Sequence, residues 1–368
     1  MNIQCSREEL SKATGNVIRA VSPKSALPAL EGILFSARDS RLYLSAYDME
    51  IGIDTSFPAQ VRQPGEVILN ARLFSDIVRR LPDENVTIST DDKLMTLIKS
   101  GESEYSLIGI HPAEFPELPK ITDATALKID GAVLRSMIFQ TAFSVATSDA
   151  RPVFTGILTE ITKEHIRMIA VDGYRLAIRT EPVGNDCEMS FIVPGKTMTE
   201  IAKLIEENET DVKIEVAKRH IIFRTGDYNI VSRLIEGEFL DYRNSIPAEA
   251  TSTVRVDTRG FIDAIERISL LISERVKTPL RCVFADNAVK LSCATAVGKA
   301  NDRINAVTQG LWVEIGFNFK YLLDALKAAE CAEVLLELAG PLSPLKIKPP
   351  EGDSFLFLVL PMRLKSES

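Results

Sequence analysis

The residues best equipped for chemistry are few, and each can be weighed by spacing. Val193 to Thr197 reads VPGKT, after a strand-like run and at the start of a helical one. There, backbone amides and a lysine can hold a nucleotide phosphate. A phosphate loop needs a second glycine five residues before Gly195, and Ser190 stands at that place. The corresponding turns Leu69-Asn70-Ala71-Arg72 and Phe317-Asn318-Phe319-Lys320 cannot wrap a phosphate either, so a structural turn is expected. His111, His165 and His220 stand apart, none at a HExxH spacing. Cys5, Cys187, Cys282, Cys293 and Cys331 are odd in number and form no CxxC pair. They read as reduced, mostly buried thiols of a cytoplasmic protein. The expectation is no catalytic constellation, no metal and no cofactor.

What does recur is a pattern of basic residues on helices. Phe74, Ile77, Val78 and Leu81 fall at i, i+3, i+4 and i+7, one apolar stripe of an α-helix. After 124 residues the stripe returns as Met198, Ile201, Ala202 and Ile205, and after another 124 as Leu322, Ala325, Leu326 and Ala329. Arg72 and Arg79 recur in step as Lys196 and Lys203, then as Lys320 and Lys327. They lie roughly 150° from the centre of the stripe, so they face away from the packing surface. Asp76, Glu200 and Asp324 follow Arg72, Lys196 and Lys320 by four residues, so i,i+4 ion pairs on a solvated face are the plain reading.

A 124-residue period is a whole small domain, not a solenoid unit. Three related domains are expected, at 1–120, 126–246 and 250–368, with boundaries where proline and polar residues gather. Each reads strand, helix, three strands, a strand, helix, three strands, an α+β fold of two helices packed on antiparallel sheets. Ser6, Asp130 and Asp257 should cap the first helices. The chain has 368 residues, 45% hydrophobic and 26% charged, with a formal net charge of -8. That composition suits globular domains and argues against a protein that coats nucleic acid non-specifically. No apolar run is long enough to span a membrane, and no leader segment is evident.

Seven segments, ALPALEGILF (26–35), AYDMEIGI (46–53), EFPELP (114–119), ARPVFTGIL (150–158), AVDGYRLAI (170–178), RLIEGEF with DYR following (233–243) and LPMRL (360–364), resemble those of the bacterial sliding clamp family, the β subunit of DNA polymerase III. The resemblance implies a non-enzymatic processivity factor of DNA replication. Two chains would join as a homodimeric, six-domain ring around double-stranded DNA, without sequence preference. Twelve helices about 10 Å apart would enclose a hole roughly 38 Å across. Lys24, Arg72, Arg79, Lys196, Lys203, Lys320 and Lys327 would face the DNA.

The resemblance also implies a pocket for short peptides of the replicative polymerase, the clamp loader and other partners. Phe154, Val171, Gly173, Tyr174, Arg175, Leu176, Leu240, Leu342, Pro344, Leu358, Leu360, Pro361 and Met362 would form it. Each has a plainer reading: Leu176 or Leu358 as core, Gly173 as a turn, Arg175 paired with a carboxylate, LPMRL as the closure of the last sheet. Leu240, Tyr174, Asn244 and Ser245 depart from residues common in the family, and Lys365 to Ser368 extend beyond its usual end. For the dimer seam, Leu271 and Ile272 would meet Tyr105 of the partner subunit. The rival readings are an enzyme on a repeated α+β scaffold and an assembly scaffold that does not encircle DNA.

Overall fold

The structure, a computed structural model, describes residues 1–119, 121–148, 150–184, 187–207, 211–273 and 278–364; the Lys365 to Ser368 tail lies outside them. The chain divides into two units, Met1–Arg135 with Glu200–Leu234, and Ser136–Thr199 with Ile235–Ser368. The second of the three sequence repeats is thus shared between them. Six α-helices follow in chain order among the described residues: α1 Arg7–Val17, α2 Ala71–Val78, α3 Gly131–Ala142, α4 Gly195–Leu204, α5 Thr258–Ser269 and α6 Phe319–Ala328.

Local chemistry starts these helices where the sequence places them. Ser6 Oγ accepts from the Glu9 amide, Asp130 Oδ1 from Val133, and the Asp257 carboxylate from Gly260. Each satisfies one of the orphan amides of a first turn. Asn70 and Asn318 do the same for α2 and α6, accepting from Leu73 and Lys320 at 3.0 Å. Each cap takes one first-turn amide that a phosphate would otherwise use. Gly195 answers to packing, since a Cβ there would lie 2.7 Å from Val145 Cγ1.

The first unit holds two antiparallel sheets. One has five strands in the order Gln60–Gln63, Asn2–Ser6, Asn85–Thr90, Met95–Ser100, Ser103–Ile108. The other has eight, running Thr125–Ile129, Val212–Val216, His220–Thr225, Tyr228–Arg233, Ile51–Pro58, Arg41–Tyr47, Gly32–Arg38, Gly65–Asn70. In the second unit one sheet of twelve strands runs Met189–Pro194, Gly156–Ile161, His165–Val171, Arg175–Pro182, Phe355–Val359, Leu345–Lys348, Glu333–Leu338, Ser252–Asp257, Gly298–Gly310, Ala288–Thr295, Leu280–Ala285, Val313–Phe317.

Strands therefore pair across repeats, which the periodicity alone did not reveal. Ile51–Pro58 of the first repeat pairs with Tyr228–Arg233 of the second, and Arg175–Pro182 of the second with Phe355–Val359 of the third. Allowing for the 124-residue period, these are the same joint made twice. The strand expected at Arg303 to Val307 is longer, Gly298–Gly310, with 298–305 on Ala288–Thr295 and 306–310 on Ser252–Asp257. In the first repeat Pro58, with no amide to donate, divides the equivalent run into Ile51–Pro58 and Gln60–Gln63.

The apolar stripes are buried as expected at Phe74, Ile77, Val78 and Leu81 and at Leu322, Ala325, Leu326 and Ala329. In the second copy of the stripe, Met198 and Ile201 of α4 and Ile205 just after it are buried but Ala202 only half so, with Leu204 taking the remaining core position. In the first unit Phe74 packs edge-on against Phe35 at 4.6 Å. In the second, α5 and α6 bury Phe261, Ile265, Leu322 and Leu326 with Phe317 and Phe357. Each large side chain so buried is worth about 1.5–3 kcal/mol before chain entropy is counted.

Candidate functional site

A cleft of about 490 Å³ opens in the second unit. Asp172 shapes one wall: its Oδ1 accepts the amides of Tyr174 and Arg175 at 2.9 and 3.0 Å, and Gly173 turns the chain at φ +89°. Glycine takes that left-handed backbone without a Cβ clash. Tyr174, thus presented, is 58% exposed and stacks on Tyr321 of α6 with ring centroids 5.7 Å apart. The last segment of the described chain forms the facing wall. Leu360 N donates to Tyr174 O at 2.9 Å and Met362 N to Gly316 O at 2.7 Å. The plainer reading of LPMRL as sheet closure therefore holds for its backbone, while Leu360, Pro361 and Met362 line the cleft. Ile272, Asn318, Phe319, Lys320 and Tyr321 also line it.

Arg175 stands behind this wall. Its Nε donates to Asp172 Oδ2 at 2.9 Å, Nη1 pairs with Asp324, and the guanidinium lies 4.6 Å from the Tyr321 ring. Charge-assisted bonds and a π face on one guanidinium hold Tyr321 and the Asp172 turn in register. Burial, then the Asp172 carboxylate, pushes the Tyr321 hydroxyl up in pKa, so it stays a neutral donor.

The other expected pocket residues divide. Phe154, Val171, Leu176 and Leu358 belong to one buried apolar cluster with Tyr242 and Ile178, and Phe154 meets Phe239 edge-on at 5.7 Å. That burial fits the plainer core reading of Leu176 and Leu358, and Phe154 and Val171 are buried with them. Leu240 and Leu342 are exposed and Pro344 half-buried, and none lines the cleft. Gly173, Tyr174, Leu360, Pro361 and Met362 are brought together as expected. Sequence reasoning missed Asn318 and Tyr321; Tyr321 lies next to Lys320, where the other copies carry Leu73 and Thr197, and that break in the repeat was the available signal.

Every expected DNA-facing residue, Lys24, Arg72, Arg79, Lys196, Lys203, Lys320 and Lys327, is exposed. Their carboxylate neighbours take further partners. Asp76 bridges Arg80 at 3.7 Å. Glu200 takes Lys203 at 2.8 Å and Arg19 at 2.9 Å, and Asp324 takes Arg175. Burial would raise the Glu200 carboxyl, but the bonds from Lys203 and Arg19 outweigh it and hold it low. Lys327 reaches Glu266 of α5 at 2.7 Å. These choices depend on rotamers and neighbouring elements, which spacing does not report.

At the expected seam the residues that end α5 differ in exposure. Ile272 is only 8% exposed and Leu271 packs on the core, whereas Leu270 is 84% exposed. Tyr105 and Ile108 are exposed on Ser103–Ile108, the last strand of its sheet. No cluster that could hold a metal and no helix long and apolar enough to cross a membrane occurs among the described residues. All five cysteines are free, with the Cys5 thiol pushed up to about 12 by burial, and so inert.

Family comparison agrees with this anatomy. Residues 1–119, 128–241 and 243–363 match the N-terminal, central and C-terminal domains of the DNA polymerase III β subunit. The chain is 33% identical to the β sliding clamps of Staphylococcus epidermidis and Staphylococcus aureus over 374 aligned positions, 99% of each chain. The Bacillus subtilis DNA polymerase sliding clamp superposes with a TM-score of 0.94 at 31% identity, covering 99% of this chain and 100% of that one. A Pseudomonas aeruginosa sliding clamp bound to griselimycin gives 0.92 at 27% identity, with 99% and 100% covered. Three domain matches in order, full-length identity and a common fold lead to one conclusion: the chain belongs to the family of the β sliding clamp, the non-catalytic β subunit of DNA polymerase III.

Proposed function

We propose that two copies of this chain close into a ring of six repeats around duplex DNA and tether the replicative polymerase, the clamp loader and other peptide-bearing proteins to it, in the cytoplasm. The observation that carries the ring is the strand joint. It is made between the first and second repeats and between the second and third, and a third instance would join Gly298–Gly310 to Ser103–Ile108. One chain leaves that pair to be completed by another: residues 298–305 are paired on one side, and Ser103–Ile108 is the outer strand of its sheet. Two copies joined reciprocally satisfy both edges in a closed C2 dimer, with Leu270 and Tyr105 of the partner subunit at the seam.

The cleft beside Tyr174, with Phe154, Val171, Leu176 and Leu358 beneath the adjoining surface, suits linear peptides with apolar anchors. Leu240, Leu342 and Pro344 would border such a peptide. The seven basic positions face the duplex and guide it without reading sequence. Retention rests on topology. Protein loaded on nicked circular duplex by a clamp loader is expected to survive high salt and to be lost soon after the circle is cut. Equal retention on freely ended linear DNA at high salt would sink the encircling function and leave a scaffold.

A further inference from the structure

The cross-strand register of the second unit's sheet lines up one edge of its surface. Arg175 opposes Val359, Val359 opposes Leu345, Glu337 opposes Lys346 so that Leu338 adjoins Leu345, Ser252 opposes Leu338, and Gly310 opposes Ser252. Six strands thus end in one row, and five steps of about 4.8 Å make it roughly 24 Å long. Tyr174 and Leu360, at one end, border the cleft. Leu342 follows Leu338 in the loop at the middle. At the far end Leu311 N donates to Thr251 O at 3.4 Å and Ser252 Oγ to Leu311 O at 2.7 Å, which fixes Leu311 and Trp312 beside the row.

These side chains are open to solvent: Leu342 at 76%, Leu311 at 69% and Trp312 at 63%. Isolated exposed leucines need no explanation, but a line of them ending in the chain's one tryptophan does. We propose that this rim extends the peptide site: it takes the stretch of a partner polypeptide that flanks the peptide in the cleft, laid out extended, with an apolar anchor on Trp312. The proposal rests on the cleft being a peptide site. At about 3.3 Å per residue, some seven residues cover the row. A second copy of this chain is disfavoured as the occupant, because the open edge sits at 298–305 and Trp312 lies beyond the other end of that strand. Nucleic acid is disfavoured because the neighbours of Trp312 from Gln309 to Glu314 include no cation for a phosphate.

The single tryptophan makes the test direct. Full-length protein is titrated with a labelled short peptide carrying glutamine, leucine and phenylalanine, and with two versions lengthened by eight residues ending in leucine, one at each terminus. Anisotropy reads affinity and tryptophan emission reads the rim. One lengthened version is expected to bind roughly tenfold tighter than the short peptide and alone to shift the emission. Trp312→Ala and Leu311→Ser should each abolish that gain while leaving the short peptide's affinity and the melting temperature unchanged. Three results overturn the proposal. If the short peptide binds and neither lengthened version gains, the rim is no part of the site. If Trp312→Ala breaks the dimer instead, the face belongs to a second copy. If no peptide binds, the cleft reading fails and the rim falls with it.

Discussion

Lys346 shows what a single buried charge asks of its surroundings. Its ammonium, nearly closed off from water, meets Glu337 Oε2 at 2.6 Å and donates to Pro247 O at 3.0 Å. It thereby ties the strand Leu345–Lys348 to the segment entering the third repeat. Burial would raise the Glu337 carboxyl, yet Lys346 and then Lys348 hold it below the ordinary 4.5. A depressed acid contributes stability that is complete above its unfolded value and is lost as pH falls through the folded one. Thermal stability should therefore drop as pH falls from about 4.5, and Glu337→Gln should remove much of that acid-side slope. At neutral pH the same variant strands the ammonium and should cost about 3 kcal/mol, read as a lowered denaturation midpoint. A Glu337→Gln protein as stable as the parent at pH 7 would show that Lys346 finds water or another partner.

Elements, rather than residues, set how copies meet. A strand with one edge unpaired is a template for another strand, and natural proteins blunt, cover or pair such edges. Gly298–Gly310 carries Lys299, Asn301, Arg303 and Asn305 on its exposed face, with Leu270 exposed at the end of α5 beside it. Arg267 of α5 bridges Asp302 at 2.7 Å, which ties the helix to this strand. Leu270→Glu is expected to leave the fold within about 0.5 kcal/mol of the parent, since the side chain is open in one chain. The dimer should weaken by about 2 kcal/mol or more, as measured by sedimentation at falling concentration. By contrast Ile272→Ala should destabilise each subunit by roughly 2–4 kcal/mol, because it empties core. A Leu270→Glu dimer as tight as the parent would move the seam elsewhere.

At the scale of the whole molecule the charge balance decides how DNA is held. The chain carries -8 overall, and among the basic positions Lys203 and Lys327 are engaged by Glu200 and Glu266, while Lys196 and Lys320 have partners as well. Affinity resting on phosphate contacts would need many free cations and would collapse with salt. A ring needs few. Replacing Arg72, Arg79, Lys196, Lys203, Lys320 and Lys327 by glutamine takes the formal charge from -8 to -14. Loading and direct DNA binding should fall steeply, while residence on an uncut circle changes little. If residence on circles falls in proportion to binding, electrostatics rather than closure holds the protein. Solution mass is the companion measurement: the dimer needs twice the 40.6 kDa chain.

The amino-acid sequence by itself determined the α+β elements, their caps and the threefold period, because capping and amphipathic spacing act within a few residues. Ser6, Asp130 and Asp257 cap where expected, and the stripe from Phe74 to Leu81 is core. It also placed the basic positions on exposed helix faces, and the turn at Gly173 beside Leu360 to Met362 followed from family likeness. Only the tertiary structure decided which strands pair across repeats, that Gly298–Gly310 runs unbroken while its counterpart stops at Pro58, and that Leu270 faces solvent rather than Ile272. It alone brought Tyr321 and Asn318 to the cleft and turned Asp324 toward Arg175. The pairings across repeats depend on contacts between residues about 180 positions apart, where backbone hydrogen bonds carry no side-chain signature, and at Leu270 a small helical rotation exchanges core for surface.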